Sequence, residues 1–146
     1  MTHRALSFCL TIIALVAFAG RAAAETDQEV AARAVALELA GAFTNDGFKL
    51  RDGHWAGTLA TNETRLIAVN LYTGNDYWFS CGTTGKTGKL SVEVFDETGA
   101  LVPTQKYNSG TKAAAGLSVT NSGEYFIRVR LDEGGPAGVC FVYSYK

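Results

Sequence analysis

The chain has 146 residues and a formal net charge of −1, from 13 Lys and Arg against 14 Asp and Glu. That length fits a single domain behind a leader segment. The even charge balance argues against a nucleic-acid binder, which would carry a basic stripe.

His3 and Arg4 open the chain with positive charge, and Leu6 to Ala19 is apolar apart from Ser7 and Thr11. Ala22-Ala23-Ala24 then offers the small residues that a signal peptidase reads, although Arg21 is atypical there. The pattern predicts a secretory signal over 1–24, cut before Glu25. The apolar run is shorter than the roughly 20 residues that cross a bilayer, so no stable membrane insertion is expected. Processing removes Arg4 and Arg21, leaving 11 basic residues against 14 acids and a net charge of −3. The expected location is periplasmic or secreted. Cys81 and Cys140 remain after processing, and a pair of cysteines in an oxidising compartment usually bridges. Such a bridge would close a loop of about 60 residues and contribute roughly 4 kcal/mol. His54 is the one histidine left, too few ligands for a metal site, so a disulfide is expected and a metal is not.

Thr26 or Asp27 can cap a helix over residues 28–43, rich in Ala, Glu and Arg. Ala31, Val35, Leu39 and Ala42 form one stripe, with Val30, Ala34 and Leu37 beside it. That broad face of small side chains suits shallow docking on the sandwich, a cap on a sheet edge or on an open end of the core, or a partner helix. Asn45-Asp46-Gly47 ends the helix. Residues 25–47 are thus a helix and its connection, and 48–146 the main domain.

From there strands alternate with turns. His54–Leu59 is the first strand, with Phe48–Arg51 as a possible forerunner, and Arg65–Leu71 the second. Gly74-Asn75-Asp76 turns the chain into Tyr77–Cys81. A loop over 82–88 leads to Leu90–Phe95, where Leu90, Val92 and Val94 alternate with Ser91, Glu93 and Phe95. Asp96-Glu97-Thr98-Gly99 is a turn, and Pro103 ends the short run Ala100–Val102 or marks an edge. Ala113–Val119, Glu124–Leu131 and Val139–Tyr145 complete the set. About eight short strands with regular turns predict an all-β fold: a small antiparallel, jelly-roll-like β-sandwich behind one N-terminal helix.

Four blocks carry a family resemblance: Asn70–Phe79, Leu90–Val102, Ser122–Val129 and the closing strand Cys140–Tyr143. Together they resemble the bacterial pre-peptidase C-terminal domain, a secreted β-sandwich that usually follows a protease domain. A free-standing exported chain of this pattern also resembles the periplasmic inhibitors of goose-type and invertebrate-type lysozymes. Those carry a Ser-Gly-x-Tyr-like loop that enters the lysozyme cleft, and Ser122-Gly123-Glu124-Tyr125 has that spacing. The resemblance therefore implies Ser122, Gly123 and Tyr125 as inhibitory-loop residues. The alternation of Tyr125 with Ile127 and Val129 instead implies a strand entry with the tyrosine in the core.

No catalytic residues are assigned. One histidine without a nucleophile elbow gives no triad, and the acidic pairs Asp96-Glu97 and Asp132-Glu133 lie in turns. Asn45-Asp46, Asn75-Asp76 and Asp132-Glu133 could offer oxygens to calcium, but none forms a dense calcium loop. Gly85-Lys86-Thr87 lacks the upstream glycine of a phosphate loop. No cofactor is expected. Trp55, Trp78 and Phe126 are the candidate surface aromatics, a binding-site signal unless the helix covers them. The expected role is non-enzymatic binding, of a protein (a lysozyme, in the most concrete version) or of a polysaccharide, with the oligomeric state open.

Overall fold

The computed structural model describes residues 23–51 and 53–146. The signal-peptide reading falls, apart from Ala23 and Ala24, outside the described residues. Helix α1 (Asp27–Thr44) is followed by β1 (Lys49–Leu50), β2 (Trp55–Leu59), β3 (Thr64–Leu71), β4 (Asp76–Thr83), β5 (Lys89–Phe95), β6 (Leu101–Val102), β7 (Gln105–Ser109), β8 (Lys112–Ser118), β9 (Gly123–Glu133) and β10 (Ala137–Tyr145). The strands form two antiparallel sheets. The larger runs β1-β10-β4-β8-β7, with β2 also paired to β10, and the smaller runs β3-β9-β5-β6. Packed face to face they make the expected β-sandwich.

Among the described residues, ten strands replace the expected eight or so. The additions are the two-residue β1 and β7, whose five residues are all exposed. With no buried side, β7 has no alternation to betray it. The loop expected from Gly82 begins later, because β4 continues to Thr83.

The core lies between the sheets. Leu71, Val94, Ile127, Val129 and Leu131 are fully buried there, with Tyr77, Phe79 and Phe141. Tyr77, Phe79, Phe141 and Tyr143 form a file of rings with successive centroids 5.9–6.2 Å apart. Rings at such spacing add directional attraction to the area they bury.

Helix α1 opens with a capping box. The Thr26 hydroxyl accepts from the Glu29 amide at 3.2 Å, and the Glu29 carboxylate accepts from the Thr26 amide at 2.9 Å. The helix lies across the outer face of the larger sheet, which is the shallow docking on the sandwich that its small side chains allow and not a cap on an edge or an open end. Its buried positions are Ala32, Ala36, Leu39 and Ala40. The expected stripe of Ala31, Val35, Leu39 and Ala42 is therefore displaced by about one residue, and Val30 and Leu37 are exposed. The reason is steric. At Gly82 a Cβ would stand 2.6 Å from the Ala36 amide nitrogen. The helix backbone comes so close to the sheet there that alanines make up most of its buried face.

The cysteines require a second correction. Cys81 pairs with Phe141 across the ladder, and Cys140 pairs with Gly82. Paired residues share a face and successive residues alternate, so Cys81 points between the sheets while Cys140 points at the helix. Cys81 packs in the main core, and Cys140 packs with Ala32, Ala36, Ala40 and Val142. Both thiols are free. With Cβ vectors directed to opposite sides of one sheet, no disulfide geometry is within reach.

Candidate functional site

A surface groove lies where α1 ends. Phe43, in the last turn of the helix, stacks on Trp78 of β4 with ring centroids 4.2 Å apart and planes 6° from parallel. The indole lies over Gly116 of the neighbouring strand β8, where a Cβ would come within 2.8 Å of the ring. Phe48 meets Phe43 edge-on at 6.4 Å. These rings wall a groove of about 740 Å³ whose polar groups include Asp46, Asp76, Gln105, Ser118 and Lys146.

Several of those polar groups are held in place. The Ser118 hydroxyl donates to Asp76 Oδ1 at 2.6 Å. The backbones of Asp76 and Lys146 exchange two hydrogen bonds. Lys146 Nζ lies 4.6 Å over the Phe48 ring and donates to the Asp46 carbonyl at 3.1 Å. Two of the three acidic turns considered for calcium thus meet at this groove, and Asp132-Glu133 stands elsewhere, paired with Arg130 and Lys89. Among the described residues, no group of three or more His, Cys, Asp or Glu is placed to hold a metal ion.

The three aromatics singled out in the sequence do not converge. Trp78 belongs to the helix-end groove. Phe126 lies on the outer face of the smaller sheet, between Ala68 and Phe95 in the ladder. Among the described residues, no helix covers that face. It exposes Leu66 and Leu101, and Arg128 sits 4.9 Å over the Phe95 ring while pairing with Glu93. Trp55 packs against the main core from β2, with Arg65 5.5 Å over its ring.

The 120–125 segment is fastened within the chain. The Ser122 hydroxyl accepts from the Thr73 amide at 2.8 Å, and the Thr73 hydroxyl donates to the Thr120 carbonyl at 2.9 Å. Gly123 opens β9. The Tyr125 ring is half-buried against the core, and its hydroxyl donates to the Asn121 carbonyl at 2.8 Å. Asn121 and Glu124 are exposed. A smaller depression of about 140 Å³ separates this segment from the Asp96–Thr98 turn. There the Thr98 hydroxyl, bonded to the Asp96 carboxylate, holds its pKa below the usual range, with help from the Ala100 amide.

Sequence reading missed Phe43 and Gln105. In the sequence pattern Phe43 is only the last residue of a helix, and Gln105 sits on β7, which has no alternation to mark it. Neither carries a local signal; their role comes from the helix lying along the sheet and ending at Trp78.

No protein-family model matches the chain, and no curated protein matches it. Among solved structures, the CBM22-1 xylan-binding domain from Paenibacillus barcinonensis Xyn10C aligns over 68% of this chain and 84% of its own, at 8% identity and a TM-score of 0.38.

Proposed function

We propose that the chain is an exported, non-catalytic binding module that takes a hydroxyl-rich polysaccharide in the groove at the end of α1. The carrying observation is the groove itself, where the edge of the Phe43–Trp78 stack stands among carboxylate, amide and hydroxyl groups. Aromatic carbon suits the C–H faces of a sugar ring, and carboxylates and an amide suit its hydroxyls. An open groove accepts an internal stretch of a long chain, as a secreted accessory or adhesion module requires.

The test is a titration with soluble neutral oligosaccharides, followed by calorimetry. Gln105→Ala and Asp46→Ala alter exposed positions and should leave the fold intact while weakening binding several-fold. Trp78→Ala should weaken it about tenfold or more, equivalent to about 1.4 kcal/mol. Equal affinity of all three variants and the parent would remove the groove from consideration. Sequencing of the protein recovered from the periplasm or medium tests export, with Glu25 expected as the first residue.

The second reading is lysozyme inhibition by the 120–125 loop. It draws on exposed Asn121 and Glu124 beside the Asp96–Thr98 depression. Ser122 and Tyr125 are already engaged in internal bonds, so contact with an enzyme would fall to their neighbours. Purified protein in large molar excess over goose-type or invertebrate-type lysozyme should then slow lysis of peptidoglycan. Unchanged lysis would dispose of this version.

A further inference from the structure

The sandwich is open along one flank, where β3 of the smaller sheet faces β2 and β10 of the larger. A cleft of about 340 Å³ enters there, and its lining includes Arg51, His54, Trp55, Tyr72, Phe141 and Tyr143. It differs in character from the helix-end groove. None of its described lining residues is a carboxylate, whereas Asp46 and Asp76 line the other.

Two guanidinium groups mark this flank. Arg51 sits 5.6 Å over the Tyr145 ring, and Arg65 sits 5.5 Å over the Trp55 ring. Cations resting on aromatic faces are partly ordered yet keep their N–H donors available. Arg51 is exposed, and no ion pair joins it to any described residue. The Tyr143 hydroxyl lies beside it; burial raises that hydroxyl's pKa, and Arg51 acts in the opposite direction. The tyrosine therefore stays protonated and can donate a hydrogen bond. At the rim the chain seats an anion of its own, since Glu25 Oε1 lies 2.7 Å from His54 Nε2 and Glu25 also pairs with Arg33. Glu25 is not among the residues lining the cleft.

We infer that this cleft is a second binding site, for a carboxylate-bearing sugar such as a uronic-acid unit of an acidic polysaccharide. Arg51 takes the carboxylate and the ring rests against Trp55 and Tyr72. A guanidinium fork matches a carboxylate geometrically, and the exposed Tyr72 with half-buried Trp55 and Tyr143 supplies apolar surface that a bare inorganic anion would not use. The site is independent of the helix-end groove, and either can fail without the other.

The chain has 2 tryptophans, so Trp78→Phe leaves Trp55 as the sole indole reporter. In that background the fluorescence is titrated with a galacturonic-acid trisaccharide and with the neutral galactose trisaccharide. The acidic trimer should change Trp55 emission saturably and bind about tenfold more tightly than the neutral one. Arg51→Gln should weaken it about tenfold, Arg51→Lys less, and raising NaCl from about 50 to about 500 mM should weaken it several-fold. Equal affinity for the two trimers, indifference to Arg51→Gln in a variant with unchanged circular dichroism, or no saturable response would each overturn the assignment. Inorganic phosphate that binds as tightly as the acidic trimer would also overturn it, since the sugar ring would then contribute nothing.

Discussion

The two faces of β4 solve opposite problems with alternating residues of one strand. Toward the smaller sheet it presents Tyr77, Phe79 and Cys81, and toward the helix Trp78, Ser80 and Gly82. The inner face fills a gap between sheets, which stack about 10 Å apart, so volume is what stabilises it. The outer face receives a helix whose backbone nearly touches the strand at Gly82, so smallness is what stabilises it. The contrast teaches that burial and bulk are separate variables: Ala32 and Ala36 are as fully buried as Phe79.

The sharpest way to break the inner face is Phe79→Ala. Phe79 is fully buried and stands between the rings of Tyr77 and Phe141. Losing the ring and leaving a cavity should cost about 3–5 kcal/mol, measured by urea unfolding with an unchanged m-value. The outer face breaks in the opposite direction, by adding atoms. Gly82→Ala would put a Cβ 2.6 Å from the Ala36 nitrogen and 2.8 Å from Val35 Cβ. Backbone cannot yield as a side-chain tip can, so a loss of about 1–3 kcal/mol is expected. A Gly82→Ala variant as stable as the parent would mean that the helix does not dock at this distance.

This contrast also explains what could be read in the sequence. The inner face was legible because large apolar residues alternate with others along Leu90–Phe95 and Glu124–Leu131, and one side of a strand predicts the other. The outer face was not. Its seam is built from Ala, Gly, Ser and Cys, which apolar periodicity scarcely weights, so the helix stripe was assigned to Val35 and Ala31 instead of Ala36 and Ala32. The disulfide failed for the same reason, since two cysteines in an exported chain say nothing about which face each one takes. Of the candidate site, Trp78 was visible as an aromatic at an alternating position. Its stack with Phe43 was not, because that contact depends on the helix reaching the strand it covers.

Ser80 sharpens the comparison by a smaller amount. Its hydroxyl is fully buried on the helix side without a hydrogen-bond partner among the described residues, as is that of Ser144. A buried hydroxyl without a partner carries a desolvation cost that removal relieves. Ser80→Ala should therefore be neutral or more stable by up to about 1 kcal/mol, whereas a polar-to-alanine change that broke a real bond would destabilise. A loss above about 1 kcal/mol on chemical unfolding would show that the oxygen has a partner after all.

The two thiols, one on each face of the larger sheet, complete the comparison. Burial pushes Cys140 up to about 12 and raises Cys81 well above its ordinary value. In the unfolded chain both titrate near 8.5, so unfolding releases protons once the pH exceeds that value. Raised folded pKa values give stability that is fully present below about pH 8.5 and lost progressively as the pH climbs toward 12. Stability should thus be level between pH 6 and 8 and decline above about 8.5, with part of the alkaline decline removed in Cys140→Ala. Within the level range, dithiothreitol should leave the melting temperature unmoved, and iodoacetamide should label neither cysteine until denaturant is added, because the reactive thiolate is absent and the sulfurs are covered. A reductant-dependent melting temperature would instead require a bridge between two sulfurs directed to opposite faces, and with it a different register for β4 and β10.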